Sequence, residues 1–182
     1  MKKNIIVFGL LSGVVISVMM LYMVSYLYNN PGFEPNMVLG YTAMLAAFSF
    51  IFVGIRNYRN KFNNGYITFS EAFKVGLYIS LIASTIYVAV WLVDYYFFVP
   101  DFMDKYAEHA LEVTRREGAT PAELAAKARE IAEEKEAYKN PVMVILITYA
   151  EVLPIALIIT LVSALILKKK APQEGLEGIG TK

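Results

Sequence analysis

Apolar residues run almost unbroken through four stretches, Ile5–Leu27, Met37–Ile55, Phe73–Val99 and Val142–Leu167, and the polar residues gather between them. A helix needs roughly 20 apolar residues to cross about 30 Å of hydrocarbon, and each stretch is near or above that length. A water-soluble chain of this size could not bury so much apolar surface in one core. The pattern predicts an all-α integral membrane protein, a four-helix bundle with these stretches as its spans. The first span ends in Tyr22, Tyr26 and Tyr28, rings suited to headgroup depth, and Asn29-Asn30-Pro31-Gly32 predicts the turn that leaves it.

Between the third and fourth spans the pattern changes to one of amphipathic helices. Phe102, Tyr106, His109 and Val113 recur at helical spacing until Gly118. Thr120-Pro121-Ala122-Glu123 then has the form of a capping box, with proline where its missing N–H costs nothing. A second helix follows, with Leu124, Ala128, Ile131 and Tyr138 on one narrow face. Residues 101–140 are therefore expected to form an extramembrane amphipathic helical hairpin between spans 3 and 4. Residues 1–170 read as a single transmembrane domain, and the glycine-rich tail 171–182 is expected to be disordered.

Charge gives the bundle an orientation. The formal net charge of +1 conceals Lys2 and Lys3, then Arg56, Arg59 and Lys61, then Lys168, Lys169 and Lys170, all on the N-terminal side of the spans. No Lys or Arg occurs between the first two spans, so the positive-inside rule predicts cytoplasmic termini. The hairpin, with seven Lys/Arg against ten Asp/Glu, falls outside. Lys2-Lys3 before an apolar run imitates a signal peptide, yet the run exceeds the roughly 7 to 15 residues of an h-region and predicts a retained helix. The absence of cysteine excludes disulfides, thiolate metal sites and a cysteine nucleophile.

Small residues recur every fourth position at Gly9, Gly13 and Ser17 in span 1, and at Ala72, Gly76, Ser80 and Ser84 in span 3. In lipid, where no hydrophobic effect draws helices together, such stripes serve as close-packing faces. A sharper local motif precedes them, Gly65-Tyr-Ile-Thr-Phe-Ser-Glu-Ala-Phe-Lys-Val-Gly76. Its Thr68-Phe69-Ser70-Glu71 is a second capping box that starts a helix at about Phe69, and Glu71 and Lys74 are spaced to pair at i, i+3.

At Gly65, Ile67, Phe69, Glu71, Ala72, Phe73, Lys74 and Gly76 the chain resembles an uncharacterised family of small four-helix bacterial membrane proteins, defined by a domain of unknown function. The likeness in span pattern covers roughly residues 1–170. The resemblance implies architecture and a multi-pass location in the bacterial inner (cell) membrane; it supplies no activity, substrate or catalytic residue.

Two carboxylates lie inside spans. Counting about 1.5 Å per residue from the basic ends, Asp94 and Glu151 both reach the outer leaflet at similar depth. Such residues need pairing, hydration or protonation, which makes Asp94 and Glu151 a candidate intramembrane acidic site; the competing reading is two wet residues beside the aromatic belt of Trp91, Tyr95 and Tyr96. Pro154 frees the Ala150 carbonyl beside Glu151. His109, the single histidine, has no neighbours at metal-ligand spacing and reads as a surface or packing residue. No nucleophile motif, phosphate-binding loop, metal set or cofactor site is expected, and the basic clusters suit anionic headgroups rather than nucleic acid. The expected function is that of a non-enzymatic subunit or scaffold of an envelope complex, in contact with lipid and with a membrane partner or a second copy. The alternative is a small transporter or ion-coupled permease component using Asp94 and Glu151.

Overall fold

The computed structural model describes residues 1–29 and 37–171, and these are all-helical: α1 (Lys2–Asn29), α2 (Met37–Phe62), α3 (Phe69–Phe97), α4 (Phe102–Arg116), α5 (Pro121–Ala137) and α6 (Pro141–Leu167). The turn expected at 30–32 and the tail expected at 172–182 lie outside the described residues. Three helices, α1, α3 and α6, are long and apolar enough to cross a membrane.

Helix ends follow local chemistry. α3 begins four residues before its apolar run because Thr68 caps it: the Thr68 hydroxyl accepts from the Glu71 amide at 3.2 Å, and Glu71 Oε2 accepts from the Thr68 amide at 3.0 Å. Glu71 also accepts from the Thr68 hydroxyl at 2.9 Å, so its carboxylate turns back to the cap. The same reciprocal box starts α5 at Thr120 and Glu123, with Pro121 in the first turn. α2 runs past Ile55 through its basic residues to Phe62, and the chain then reverses through Asn64 and Gly65. At Gly65, φ is +82°, a conformation that favours glycine, and its amide donates to the Arg59 carbonyl at 2.8 Å. α6 starts where the Asn140 side chain accepts from the Val142 amide, and it continues through Pro154 without a break in helical structure.

The four long helices pack side by side. α1 lies against α2 and α3, α6 closes on α3 and α2, and α2 and α3 also meet. Phe48, Ile51 and Ile55 of α2, Val75 and Ile79 of α3, and Val152 of α6 are all fully buried between them. Glycines set the closest approaches. A Cβ built on Gly9 or Gly13 would lie 2.7 Å from Ile82 or Ile86 of α3, and one on Gly76 would lie 2.7 Å from Thr160 of α6. Ser17, Ala72, Ser80 and Ser84 are buried on the same two helices.

Polar residues pin this apolar interior at specific heights. Ser80 and Thr160 share a 2.8 Å hydroxyl contact between α3 and α6, and Ser12 donates to the Ala47 carbonyl at 2.9 Å. Asn4 donates to the Gly54 carbonyl at 2.9 Å while Asn57 donates to the Asn4 side chain at 2.5 Å. At this basic end the chain is knotted further. Arg59 donates to the Leu167 carbonyl at 3.1 Å, covering an open carbonyl of the α6 terminus, and Ile67 and Lys169 exchange backbone bonds of 3.0 and 2.8 Å. Gly65–Ile67 of the sequence motif thus tie the ends of α2, α3 and α6 together.

Candidate functional site: an acidic aromatic pocket beneath the hairpin

The opposite end is built differently. α4 and α5 form an antiparallel hairpin turned by Gly118 at φ +83°, with Ile131 buried and an ion pair between Asp104 and Lys135 across it. Leu124 and Tyr138 are half-buried, whereas Ala128 is exposed. The hairpin is fastened to the long helices by aromatic contact. Phe102 meets Trp91 edge to face with ring centroids 5.0 Å apart, and Tyr138 meets Tyr95 at 5.5 Å. Beneath them, Met20, Trp91 and Val144 form a buried cluster that joins α1, α3 and α6. A further clasp holds the start of α4 to the end of α1: the Tyr28 hydroxyl donates to Asp101 at 2.5 Å, and the Lys105 ammonium lies 3.2 Å from the centre of the Tyr28 ring.

Between hairpin and long helices is an open pocket of about 410 Å³. Its floor and sides come from Met20 and Val24 of α1, Tyr87 and Trp91 of α3, and Ile147, Thr148 and Glu151 of α6. Its roof is Phe102, Met103 and Tyr106 of α4, with Glu134 of α5 and Tyr138 at the α5 terminus. The polar atoms of this lining are carboxylate, phenol and hydroxyl oxygens and the Trp91 indole N–H, and no lysine or arginine belongs to it. Thr148 is already committed, donating to the Val144 carbonyl at 2.7 Å. Burial, followed by the negative charge of Glu151, pushes the Tyr138 hydroxyl far above the usual phenol range; burial and Glu134 push Tyr106 up in the same direction. Both phenols therefore stay protonated at neutral pH and present a hydroxyl and a π face.

The structure separates the two carboxylates singled out in the sequence. Glu151 lines the pocket. Asp94 is buried at the end of α3, 9% exposed, with its main-chain carbonyl accepting from the amides of Phe98 and Val99, and it is not among the lining residues. The acid that shares the pocket with Glu151 is Glu134, which lies on the same face of α5 as Ile131 and Tyr138. A carboxylate on that narrow apolar face was the available signal, and only the folding of the hairpin brings it to α6. Gly54 is a second residue the spacing rule missed, because it stands alone rather than in a stripe; a Cβ there would lie 2.6 Å from Ile79. His109 is half-buried in a smaller recess with Tyr28, Lys105 and Glu112, and its Nε2 is buried without a hydrogen-bond partner. Among the described residues no three His, Cys, Asp or Glu side chains come close enough to hold a metal ion.

A family described only as a protein of unknown function, DUF4199, matches residues 7–169, nearly the whole described chain. This chain belongs to the DUF4199 family. No curated protein and no solved structure matches it. In this DUF4199 member the matched region contains the pocket and all of the basic-end network except Asn4.

Proposed function

We propose that this DUF4199 protein is a four-span protein of the bacterial inner membrane that acts as a non-enzymatic binding subunit, with α2 as the fourth crossing. The fourth crossing is supported by the charge-free stretch Met37–Ile55 and by the packing of α2 against three helices of membrane-spanning length. Both termini and the 63–68 turn are cytoplasmic in this reading, since every basic cluster beside a span gathers at that end. The α4–α5 hairpin then lies outside, over the pocket.

The observation that carries the binding role is the pocket's construction from five helices, with π faces and oxygen acceptors converging beneath the hairpin. Its volume is within the range of small-molecule sites, roughly 300 to 1,000 Å³. Carboxylates and protonated phenols together can recognise a ligand through charge and hydrogen bonds. A transport role through Asp94 and Glu151 is less well supported. Asp94 is not part of the pocket, and a path onward would have to pass Phe48, Ile51, Val75 and Ile79, which fill the interior at less than 2% exposure.

Proton and cation flux through the purified protein in sealed liposomes separates the two roles. The expected result is flux equal to that of empty liposomes. Flux in the wild type that Glu151→Gln abolishes would overturn the binding reading in favour of transport.

A further inference from the structure

Glu134 and Glu151 occupy one pocket, and neither takes part in an ion pair among the described residues. The nearby cations of the hairpin are engaged elsewhere, Lys127 with Glu130 and Lys135 with Asp104. In the four-span reading Glu151 is the eleventh residue of α6, roughly 15 Å along a helix about 40 Å long, at a depth where an ionised carboxylate calls for pairing, hydration or protonation. Among the described residues the chain supplies no cation to pair with it. It supplies instead the faces and edges of aromatic rings, Trp91, Phe102, Tyr106 and Tyr138, and a ring face attracts a cation through its quadrupole. In the same pocket, Met20, Val24 and Ile147 add apolar side chains to the wall.

Resting on the binding role proposed above, we infer that the pocket between the hairpin and α6 binds an ammonium group carried on an apolar chain, with Glu134 and Glu151 facing the charge and Met20, Val24 and Ile147 taking the chain. Strong hydration makes a bare inorganic cation a poor match for rings and methyl groups, and an anion would meet two carboxylates with no compensating Lys or Arg in the wall. A neutral amphiphile would leave both carboxylates unpaired. The ammonium comes either from an aminated membrane lipid or from a free long-chain amine; both present the same chemistry to the pocket.

Trp91 is the single tryptophan of the chain and lines the pocket, so its fluorescence reports occupancy without a label. The full-length protein in a non-ionic maltoside micelle is titrated with dodecylamine, dodecanol and dodecyl sulfate, which share one chain and differ in charge. The expected result is a saturable change in Trp91 emission with dodecylamine alone. Glu151→Gln and Glu134→Gln, each checked for unchanged thermal unfolding, should each weaken the apparent affinity about tenfold, and Glu133→Gln on the exposed face of α5 should not. A second arm uses nanodiscs of phosphatidylglycerol with or without phosphatidylethanolamine. Competition by phosphatidylethanolamine assigns the ammonium to a lipid headgroup, and undiminished dodecylamine binding assigns it to a free amine. Equal responses to dodecanol and dodecylamine, or a response that survives both Gln variants, would overturn the ammonium assignment while keeping the pocket as a binding site. Silence of Trp91 toward all three probes would overturn the binding role itself.

Discussion

Replacing Gly76 by alanine sets two opposed effects against each other at a site where the geometry decides the winner. In an exposed helix the change is favourable by roughly 0.5–1 kcal/mol, because alanine restricts the unfolded backbone and stabilises the helix. At Gly76 the new Cβ would stand 2.7 Å from Thr160 Cγ2, 2.9 Å from Ile55 Cδ1 and 3.3 Å from Ile51 Cγ2. Three side chains from two helices converge there, so relief in one direction tightens another. Thr160 has least freedom, since its hydroxyl is held by Ser80 at 2.8 Å and its β-branch fixes the methyl opposite Gly76. Overpacking of a filled core costs about 1–3 kcal/mol, which exceeds the propensity gain and gives a net loss of about 0.5–2 kcal/mol. Gly40→Ala on α2 is the matched control, because nothing lies within 4 Å of a Cβ at that position. It keeps the helix gain without the clash. Thermal unfolding of both variants in detergent should lower the midpoint for Gly76→Ala by a few degrees, at about 2–4 °C per kcal/mol, and leave Gly40→Ala unchanged or slightly raised. Equal midpoints for the two variants would refute the close approach of α3 to α6.

Three other outcomes are expected. Because the chain has no cysteine, single cysteines at Asn60 and Ala119 are unique labels; an impermeant thiol reagent on intact cells with a permeable outer layer should modify Ala119→Cys and spare Asn60→Cys, and the reverse would invert the proposed orientation. Thr120's amide and hydroxyl hold the Glu123 carboxyl below its ordinary value of 4.5, so the cap's contribution is present above that pH and is lost as pH falls through the lower folded value. Limited proteolysis by a protease active in acid should therefore open the hairpin faster below that range than above it, and Thr120→Ala should remove the difference. Arg59→Ala uncovers the Leu167 carbonyl at the α6 terminus, and hydrogen exchange at Lys168 and Lys169 should rise there while the middle of α6 stays protected.

What could be read from the sequence was what depends on neighbours along the chain. The apolar stretches, both capping boxes, the turn at Gly118 and the small-residue stripes are local patterns, and each has a local physical cause. Boundaries shifted where local chemistry outweighed hydropathy: Thr68 starts α3 ahead of its apolar run, and α2 carries Arg56, Asn57 and Arg59 inside its last turns because Arg59 and Asn57 have partners on other helices. The pocket was not legible in this way. Asp94 and Glu151 were chosen together for equal depth, but depth is one coordinate and the facing direction of each helix is another. Glu134 is four residues from Tyr138 and three from Ile131, and on an otherwise acidic hairpin it could be singled out only once the hairpin's seat on Trp91 and Val144 was known. Asn4 was passed over for a related reason. A polar residue at the start of an apolar run looks like a boundary, whereas here it donates across to the Gly54 carbonyl.

The two ends of the long helices differ in what their hydrogen bonds accomplish, and the difference bears on where binding can occur. At the basic end Asn4, Asn57, Arg59, Ile67 and Lys169 satisfy backbone or side-chain partners on other elements, so opening it would expose several paired polar groups at once. Between the ends, Gly9 and Gly13 bring α1 close to α3, and Gly76 brings α3 close to α6 and α2. At the hairpin end the contacts are ring against ring, and the Tyr28–Asp101 and Lys105–Tyr28 clasp lies on the α1 side, away from Glu151. Aromatic contacts of this kind are worth about 0.5–1.5 kcal/mol each beyond their area and have no stringent hydrogen-bond geometry, so the hairpin is expected to open before the long helices separate, with the clasp as one of its fastenings. Tyr28→Phe tests that division of labour. It removes the hydrogen bond to Asp101 and keeps the ring beneath Lys105, so the hairpin should become more accessible to protease while the midpoint of global unfolding, governed by the packed middle and the knotted end, stays in place. A loss of global stability equal to that of Gly76→Ala would show that the hairpin and the long helices unfold as one unit.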